Sequence, residues 1–170
     1  MENRKIRVGI THGDINGVGY EVILKTFSDP TMLELCTPVV YGSPKVAAYH
    51  RKAMEIQTSF SIVNSAEEVQ DGRVNVVNCI EEELKVELTK PTPEAGKAAL
   101  AALERALADY REGLFDVLVT APINKHTIQS DAFHFPGHTE YIEERVGEGQ
   151  KALMILLKGD FRVALKSPFS

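Results

Sequence analysis

A short apolar run near the middle of the chain, 115–119, constrains the fold most. It contains Phe115, Val117, Leu118 and Val119, and such a run is typical of a strand buried inside a parallel sheet. Pro122 ends it, because proline offers no N–H to a ladder and holds the preceding residue extended. The sequence therefore predicts a buried strand that stops abruptly, with a loop at its carboxyl end.

The loop that follows is rich in side chains that can bind ligands or take part in catalysis. Three of the five histidines lie here, together with further polar side chains: Asn124, Lys125, His126, Asp131, His134, His138, Thr139 and Glu140. Thr139 is a predicted N-cap, and the helix after it should end at Gly147. Ligands of open α/β sheets bind beyond the carboxyl ends of the strands, and a helix N-terminus there favours anions. This loop is the first candidate site.

The rest of the chain alternates between strand and helix patterns. The predicted strands are 4–10, 38–41, 59–63 and 73–77, and the predicted helices are 22–27, 43–54 and 92–110, the last with one apolar stripe. Two further apolar runs, 152–157 and 161–165, predict a hairpin whose first strand is buried. These patterns predict a single α/β region over residues 1–170, with three α/β/α layers and a mixed, mostly parallel sheet.

Charge and cysteine content narrow the class of protein. The 170 residues include 44% hydrophobic and 25% charged residues, which is ordinary for a globular protein. A formal net charge of −5 argues against general binding to nucleic acid or anionic membranes. Cys36 and Cys79 form no C-x-x-C pair, and no apolar run is long enough to span a bilayer. We therefore expect two reduced thiols and a cytoplasmic location.

A loop with three glycines, 11–21, links the first strand to the first helix. It does not match G-x-G-x-x-G in the register of a dinucleotide fold. Two interpretations stay open, a tight strand-to-helix turn and a ligand-binding loop. We expect Asp14 and Glu21 to anchor the loop and not to act as catalysts.

Two motifs resemble a known family. The run T-A-P-I-N-K followed by F-P-G-H-T-E, which ends at Glu140, resembles the central signature of the 4-hydroxythreonine-4-phosphate dehydrogenases of vitamin B6 biosynthesis. The loop around Asp14 resembles the first loop of that family and, more distantly, that of isopropylmalate dehydrogenases. The family commonly has Gly at Ala121 and His at Asn124. Prolines are usual where this chain has His12, Ile15 and Tyr20.

The resemblance implies a fold, an activity and a set of contacts. The fold would be isocitrate/isopropylmalate dehydrogenase-like, and the chain would match about the N-terminal half of the family's length. Family members are homodimers that need NAD and a divalent metal, and they oxidise and decarboxylate 4-phosphohydroxy-L-threonine. His138 and Thr139 match the positions that contact substrate, and Lys125 is the third expected contact. No catalytic residue is assigned.

The resemblance also implies what this chain lacks. The family's T-x-H-x-P segment, which holds the first of three metal histidines, aligns with Lys166-Ser167-Pro168. The other two histidines and most NAD-binding residues belong to the half that the chain does not match. We therefore expect a truncated chain that is inactive alone and binds neither NAD nor metal. The alternatives are a related dehydrogenase of another phosphorylated hydroxy acid, a non-catalytic phosphate-binding or assembly module, and an unrelated phosphate-binding α/β domain.

A zinc site is a further possibility within the candidate loop. His126, His134 and His138 are suitable ligand types, but their spacing matches no metal motif. We therefore expect these histidines to bind no metal.

Overall fold

A computed structural model describes residues 4–165 of the chain. The chain divides into two compact units, Met1–His134 and Phe135–Ser170. Each unit contains its own sheet. Among residues 4–165, no helix is long and apolar enough to cross a bilayer.

The first unit is built on a five-stranded sheet in which every pairing is parallel. The strand order is β3-β4-β2-β1-β5. The α/β class and the mostly parallel sheet predicted from the sequence are therefore confirmed. The strands are β1 Ile6–Thr11, β2 Cys36–Gly42, β3 Phe60–Val63, β4 Val74–Asn78 and β5 Val117–Thr120.

Four α-helices and one short 3₁₀ turn (Ala66–Glu68) connect these strands. The helices are α1 Gly19–Thr26, α2 Pro30–Leu35, α3 Pro44–Ala53 and α4 Pro93–Arg111. The last three begin alike, because Asp29, Ser43 and Thr92 each accept a backbone N–H of the first turn and are followed by proline. The sequence predicted two of these starts and missed α2.

Helices cover both faces of the sheet. Val40 and Val76 pack with residues of α1 and α3, whereas Val39 and Tyr41 pack with Ala102 of α4. Neighbouring residues of a strand point to opposite faces, so these are two separate cores. The predicted three layers are therefore confirmed.

The burial predicted for β5 is wrong. Among residues 4–165, β5 pairs only with β1, so it lies at the edge of the sheet. Val117 and Val119 are each 48% exposed. Phe115, which was predicted within the strand, precedes it and packs its buried ring against Gly9 of β1.

The second unit contains one helix and one hairpin. Helix α5 spans His138–Val146, and β6 (Met154–Lys158) pairs antiparallel with β7 (Phe161–Leu165), which confirms the predicted hairpin. Glu143 joins the helix to the segment that leads into the hairpin, since its carboxylate accepts hydrogen bonds from the Lys151 ammonium at 3.0 Å and the Ala152 N–H at 2.8 Å. The predicted burial of the first strand is wrong, because all of β6 is exposed and Leu157 is 67% exposed.

Candidate functional site

The segment after β5 leaves the sheet where the sequence predicted. The Ala121 N–H still donates to the Thr11 carbonyl at 3.1 Å, as the last bond to β1. The Pro122 carbonyl then accepts the Asp14 N–H at 2.9 Å. The carboxyl end of β5 therefore lies against the glycine-rich loop.

Lys125 sits on a turn with a fixed backbone. The Asn124 side-chain oxygen accepts the N–H groups of His126 at 3.0 Å and Thr127 at 3.2 Å. The Ile128 N–H closes the turn on the Asn124 carbonyl at 3.2 Å, and the Ile128 side chain is buried. The side chains of Lys125 and His126 are exposed. The Lys125 side chain thus extends into solvent from a turn whose backbone is held by hydrogen bonds.

The glycine-rich loop is anchored by amides and one aspartate. The Asp14 carboxylate accepts the Asn16 N–H at 2.9 Å. The Asn16 side chain donates to the Lys90 carbonyl and the Thr92 hydroxyl, at 2.9 and 3.1 Å. The anchoring role predicted for Asp14 is confirmed. The same role predicted for Glu21 is wrong, because Glu21 lies on α1 and forms an ion pair with Lys25.

Three buried rings stack beside this loop. His12 lies 5.3 Å from Tyr20 between ring centroids, and Tyr20 lies 5.6 Å from His50. The Tyr20 hydroxyl donates to the Ser43 carbonyl at 3.0 Å and accepts the Ser43 N–H at 2.8 Å. His12 Nε2 lies 3.2 Å from the Ala98 carbonyl oxygen of α4. The stack ties the loop to three helices.

Burial keeps His12 and Tyr20 of this stack uncharged. Desolvation lowers the pKa of His12 to about 4 and raises the pKa of the Tyr20 phenol well above its usual range. Burial also raises the pKa of the Cys79 thiol to about 12. These groups are therefore neutral at pH 7 and serve packing. The sequence offered one signal only, the presence of His12 and Tyr20 at positions where prolines are usual.

The start of α5 differs from the prediction. The helix begins at His138, with Gly137 in extended conformation (φ −176°) as its N-cap and no side-chain cap. Thr139 lies one residue inside the helix and its side chain is exposed, so the predicted capping role is wrong. Gly137 takes the extended conformation that an N-cap needs, and the helix therefore starts earlier. The predicted end is confirmed, since the helix stops at Val146 before Gly147.

An aromatic contact holds the first turns of α5. Tyr141 is fully buried, and the Phe135 ring meets it edge-on at 5.2 Å between centroids. The Arg145 guanidinium lies 5.1 Å from the Tyr141 ring centroid. His138 is half-buried at the helix start. The first N–H groups of a helix have no intrahelical acceptor, so this end of α5 suits an anion.

The predicted site residues belong to different units. Lys125 lies in the first unit, and His138 and Thr139 lie in the second. His126, Asp131 and His134 are exposed. Among residues 4–165, no three His, Cys, Asp or Glu side chains form a group able to hold a metal ion. The Lys166–Pro168 segment, matched to the family's first metal histidine, is outside the described residues.

The chain was compared with known proteins. The family model for the pyridoxal phosphate biosynthetic protein PdxA matches residues 34–169. A 4-hydroxythreonine-4-phosphate dehydrogenase of Bacteroides thetaiotaomicron is 75% identical over 165 residues, which cover 97% of this chain and 45% of that protein. A D-threonate 4-phosphate dehydrogenase of Cupriavidus necator is 30% identical over 152 residues, covering 88% and 45% of the two chains.

A solved structure shows the same fold. The crystal structure of a 4-hydroxythreonine-4-phosphate dehydrogenase from Burkholderia phymatum superposes with a TM-score of 0.82 at 27% identity, covering 95% of this chain and 49% of that one. The chain thus spans about half the length of the relatives it matches. Because the family model covers most of the sequence, the chain belongs to the PdxA family of pyridoxal phosphate biosynthetic proteins.

Proposed function

We propose that this chain is the matching region of a 4-hydroxythreonine-4-phosphate dehydrogenase, an enzyme that oxidises and decarboxylates 4-phosphohydroxy-L-threonine on the route to pyridoxal phosphate. The observation that carries the proposal is the 75% identity to the Bacteroides thetaiotaomicron protein of that name. The intact F-P-G-H-T-E motif at the start of α5 supports it.

Three side chains are proposed substrate contacts. The His138 imidazole and the Thr139 hydroxyl can hold hydroxyl and carboxylate oxygens of the substrate, beside the first N–H groups of α5. The Lys125 ammonium supplies a positive charge for an anionic group of the substrate. Glu140, in the first turn of α5, partly opposes anion binding.

The cofactors proposed for that enzyme are NAD, which would accept the hydride, and a divalent metal, which would polarise the substrate oxygens. Among residues 4–165, no group of His, Cys, Asp or Glu side chains is able to hold that ion, so we propose that these residues supply substrate contacts and not metal ligands. We expect the purified 170-residue chain to produce no NADH from 4-phosphohydroxy-L-threonine. Metal-dependent NADH production that survives repurification would refute this.

A chimera tests the proposed function. In it, this chain replaces the matching part of the Bacteroides thetaiotaomicron relative, and the unaltered relative is the control. We expect NADH formation from 4-phosphohydroxy-L-threonine with kcat/KM within about tenfold of the control, that is, about 1.4 kcal/mol in transition-state stabilisation. His138→Ala in the chimera should raise KM. A folded chimera without activity would count against the proposal.

A sister activity is the second candidate. The Cupriavidus necator relative is named for D-threonate 4-phosphate, and this chain departs from the usual residues at Ala121 and Asn124. The same chimera, assayed with both substrates, separates the two. A higher kcat/KM for D-threonate 4-phosphate would replace the first proposal by the second.

Phosphate titration tests the proposed contacts without requiring catalysis. We expect inorganic phosphate to shift the amide resonances of residues 137–142, with a Kd of about 1 mM. His138→Ala should weaken this binding, while the exposed His134→Ala serves as the matched control. An absence of shifts at residues 137–142, or an unchanged Kd in His138→Ala, would leave the helix start without an anion role.

We also propose a homodimer. The β6–β7 hairpin exposes apolar side chains on both strands, including Leu156, Leu157 and Phe161, and exposed patches of this kind drive association. Light scattering should therefore report a dimer or a larger species. Leu157→Lys should shift it toward monomer, whereas Lys158→Glu, a charge change on the same strand, should not. A monomer at micromolar concentration contradicts the proposal.

Two further proposals concern the chain as a whole, namely its division into domains and its location in the cell. We propose that residues 1–170 form one α/β region, because the family model runs across both compact units. A single urea-unfolding transition is expected, and two separated transitions would contradict it.

A cytoplasmic location is proposed from the two free thiols, Cys36 and Cys79. Cell fractionation tests this, and recovery outside the cytoplasmic fraction would refute it.

A further inference from the structure

Helix α4 touches the Lys125 turn backbone to backbone. Gly96, in the first turn of α4, is buried, and a Cβ added to it would overlap the Thr127 carbonyl group and lie 2.9 Å from the Ile128 nitrogen. These are backbone atoms, which cannot rotate away as a flexible side chain can. Glycine inside a helix costs about 1 kcal/mol relative to alanine, so its presence here reflects the close approach.

The turn is also held from its other side. The Asn124 side chain accepts two N–H groups within the turn, as described above. Upstream, a Cβ at Gly13 (φ +70°) would overlap the Pro122 carbonyl oxygen, which accepts the Asp14 N–H. The 121–128 segment is therefore fixed between the glycine-rich loop and α4. We therefore expect a displacement at Thr127 to move Lys125, two residues away.

We infer that Gly96 is a positioning residue for substrate binding, because its missing side chain lets α4 set the position of the turn that carries Lys125. The inference rests on the anion-binding role proposed for Lys125. Gly96 has no side chain to offer to a substrate. It would act through the backbone of Thr127 and Ile128, which it approaches closely.

The test measures inorganic phosphate binding by the 170-residue chain, read from the amide shifts of residues 124–128. Lys125→Ala should raise Kd about two- to fivefold, the range for one exposed charge contact. Gly96→Ala should raise Kd by a similar factor and shift the same amides before phosphate is added. The double variant should bind no more weakly than either single one, because both remove the same contact.

Gly9→Ala is the matched control. A Cβ there also meets atoms closer than 3.0 Å, but they belong to the Phe115 ring and not to the Lys125 turn. It should lower stability and leave Kd unchanged. If Gly96→Ala binds phosphate as the wild type does while Lys125→Ala does not, the positioning role is overturned and the proposed role of Lys125 stands. If Lys125→Ala has no effect, both are overturned.

A second pair of variants decides the case if Gly96→Ala fails to fold. Asn124→Ala removes the side-chain acceptor that holds the turn, without touching α4. It should raise Kd about two- to fivefold, and Asn124→Ser, whose hydroxyl can accept the same N–H groups, should recover part of the loss. Wild-type binding by Asn124→Ala would show that the turn's position does not matter, which overturns the inference.

Discussion

Acid should destabilise this protein through His12. The imidazole is fully buried, and its Nε2 lies 3.2 Å from the Ala98 carbonyl oxygen, so its proton resides on that nitrogen. Its Nδ1 has no hydrogen-bond partner among the described residues. Protonation would therefore place a charge and an unpaired N–H in the core. Tyr20 and Cys79 of this cluster are neutral and offer the cation no counter-charge, and the electrostatic effect of His50 disfavours the cation further.

The direction in which the free energy of unfolding changes with pH follows from the pKa of His12 in the folded and unfolded states. The pKa of His12 falls from 6.5 in the unfolded chain to about 4 in the folded one, so the unfolded state takes up the proton first. The contribution of His12 to the free energy of unfolding is therefore fully present above pH 6.5. It falls as the pH drops toward 4, and below pH 4 this group causes no further loss. The difference corresponds to about 3 kcal/mol of unfolding free energy. That is a large share of the 5–15 kcal/mol typical of folded proteins.

The assay is urea unfolding followed by far-UV circular dichroism between pH 7.5 and 4.5. His12→Phe keeps a ring that can stack on Tyr20 but cannot take up a proton. Comparing its change with pH to that of the wild type cancels both the constant cost of the substitution and the titration of carboxylates common to both. The exposed His126→Phe should follow the wild type. A wild-type-to-His12→Phe difference that stays constant over this range would refute the reasoning.

Three further outcomes follow from the structure. Asp109→Ala should cost about 2 kcal/mol in urea unfolding, because the buried carboxylate accepts the Tyr41 hydroxyl at 2.9 Å, and a loss below about 0.5 kcal/mol would contradict this. Thr139→Ala should change stability by less than about 0.5 kcal/mol, since its hydroxyl caps nothing, and a loss near 1 kcal/mol would point to a cap after all. In a Cys36→Ser variant, Cys79 should react with Ellman's reagent at pH 8 only after urea is added, because burial keeps its thiol protonated; rapid reaction in the native state would contradict this.

The features predicted correctly are those encoded locally. The start of α4 needs only Thr92 and Pro93, and its buried face needs only apolar residues at helical spacing. The hairpin likewise depends on two adjacent apolar runs and the turn at Gly159. Each of these signals lies within about twenty residues, so the sequence contains it directly.

The features missed depend on distant parts of the chain. The exposure of Val117 follows from the strand order, which places β5 at the edge, and no property of the run itself determines that order. The stack unites His12, Tyr20 and His50 only after the sheet has formed. Thr139 was misassigned for a local reason, because Gly137 is also an acceptable N-cap and the pattern does not choose between them.

The pairing of β1 with β5 also affects how the chain folds during synthesis. Val8 pairs with Val117, so about a hundred residues must emerge from the ribosome before this side of β1 finds its partner. β2 pairs with the other side much earlier, at a separation of about thirty residues. In the interval, the open side of β1 is an unpaired edge that another nascent chain could join. Synthesis rate and chaperone access over residues 42–117 should therefore influence the yield of native protein more than the same factors acting after β5 has paired.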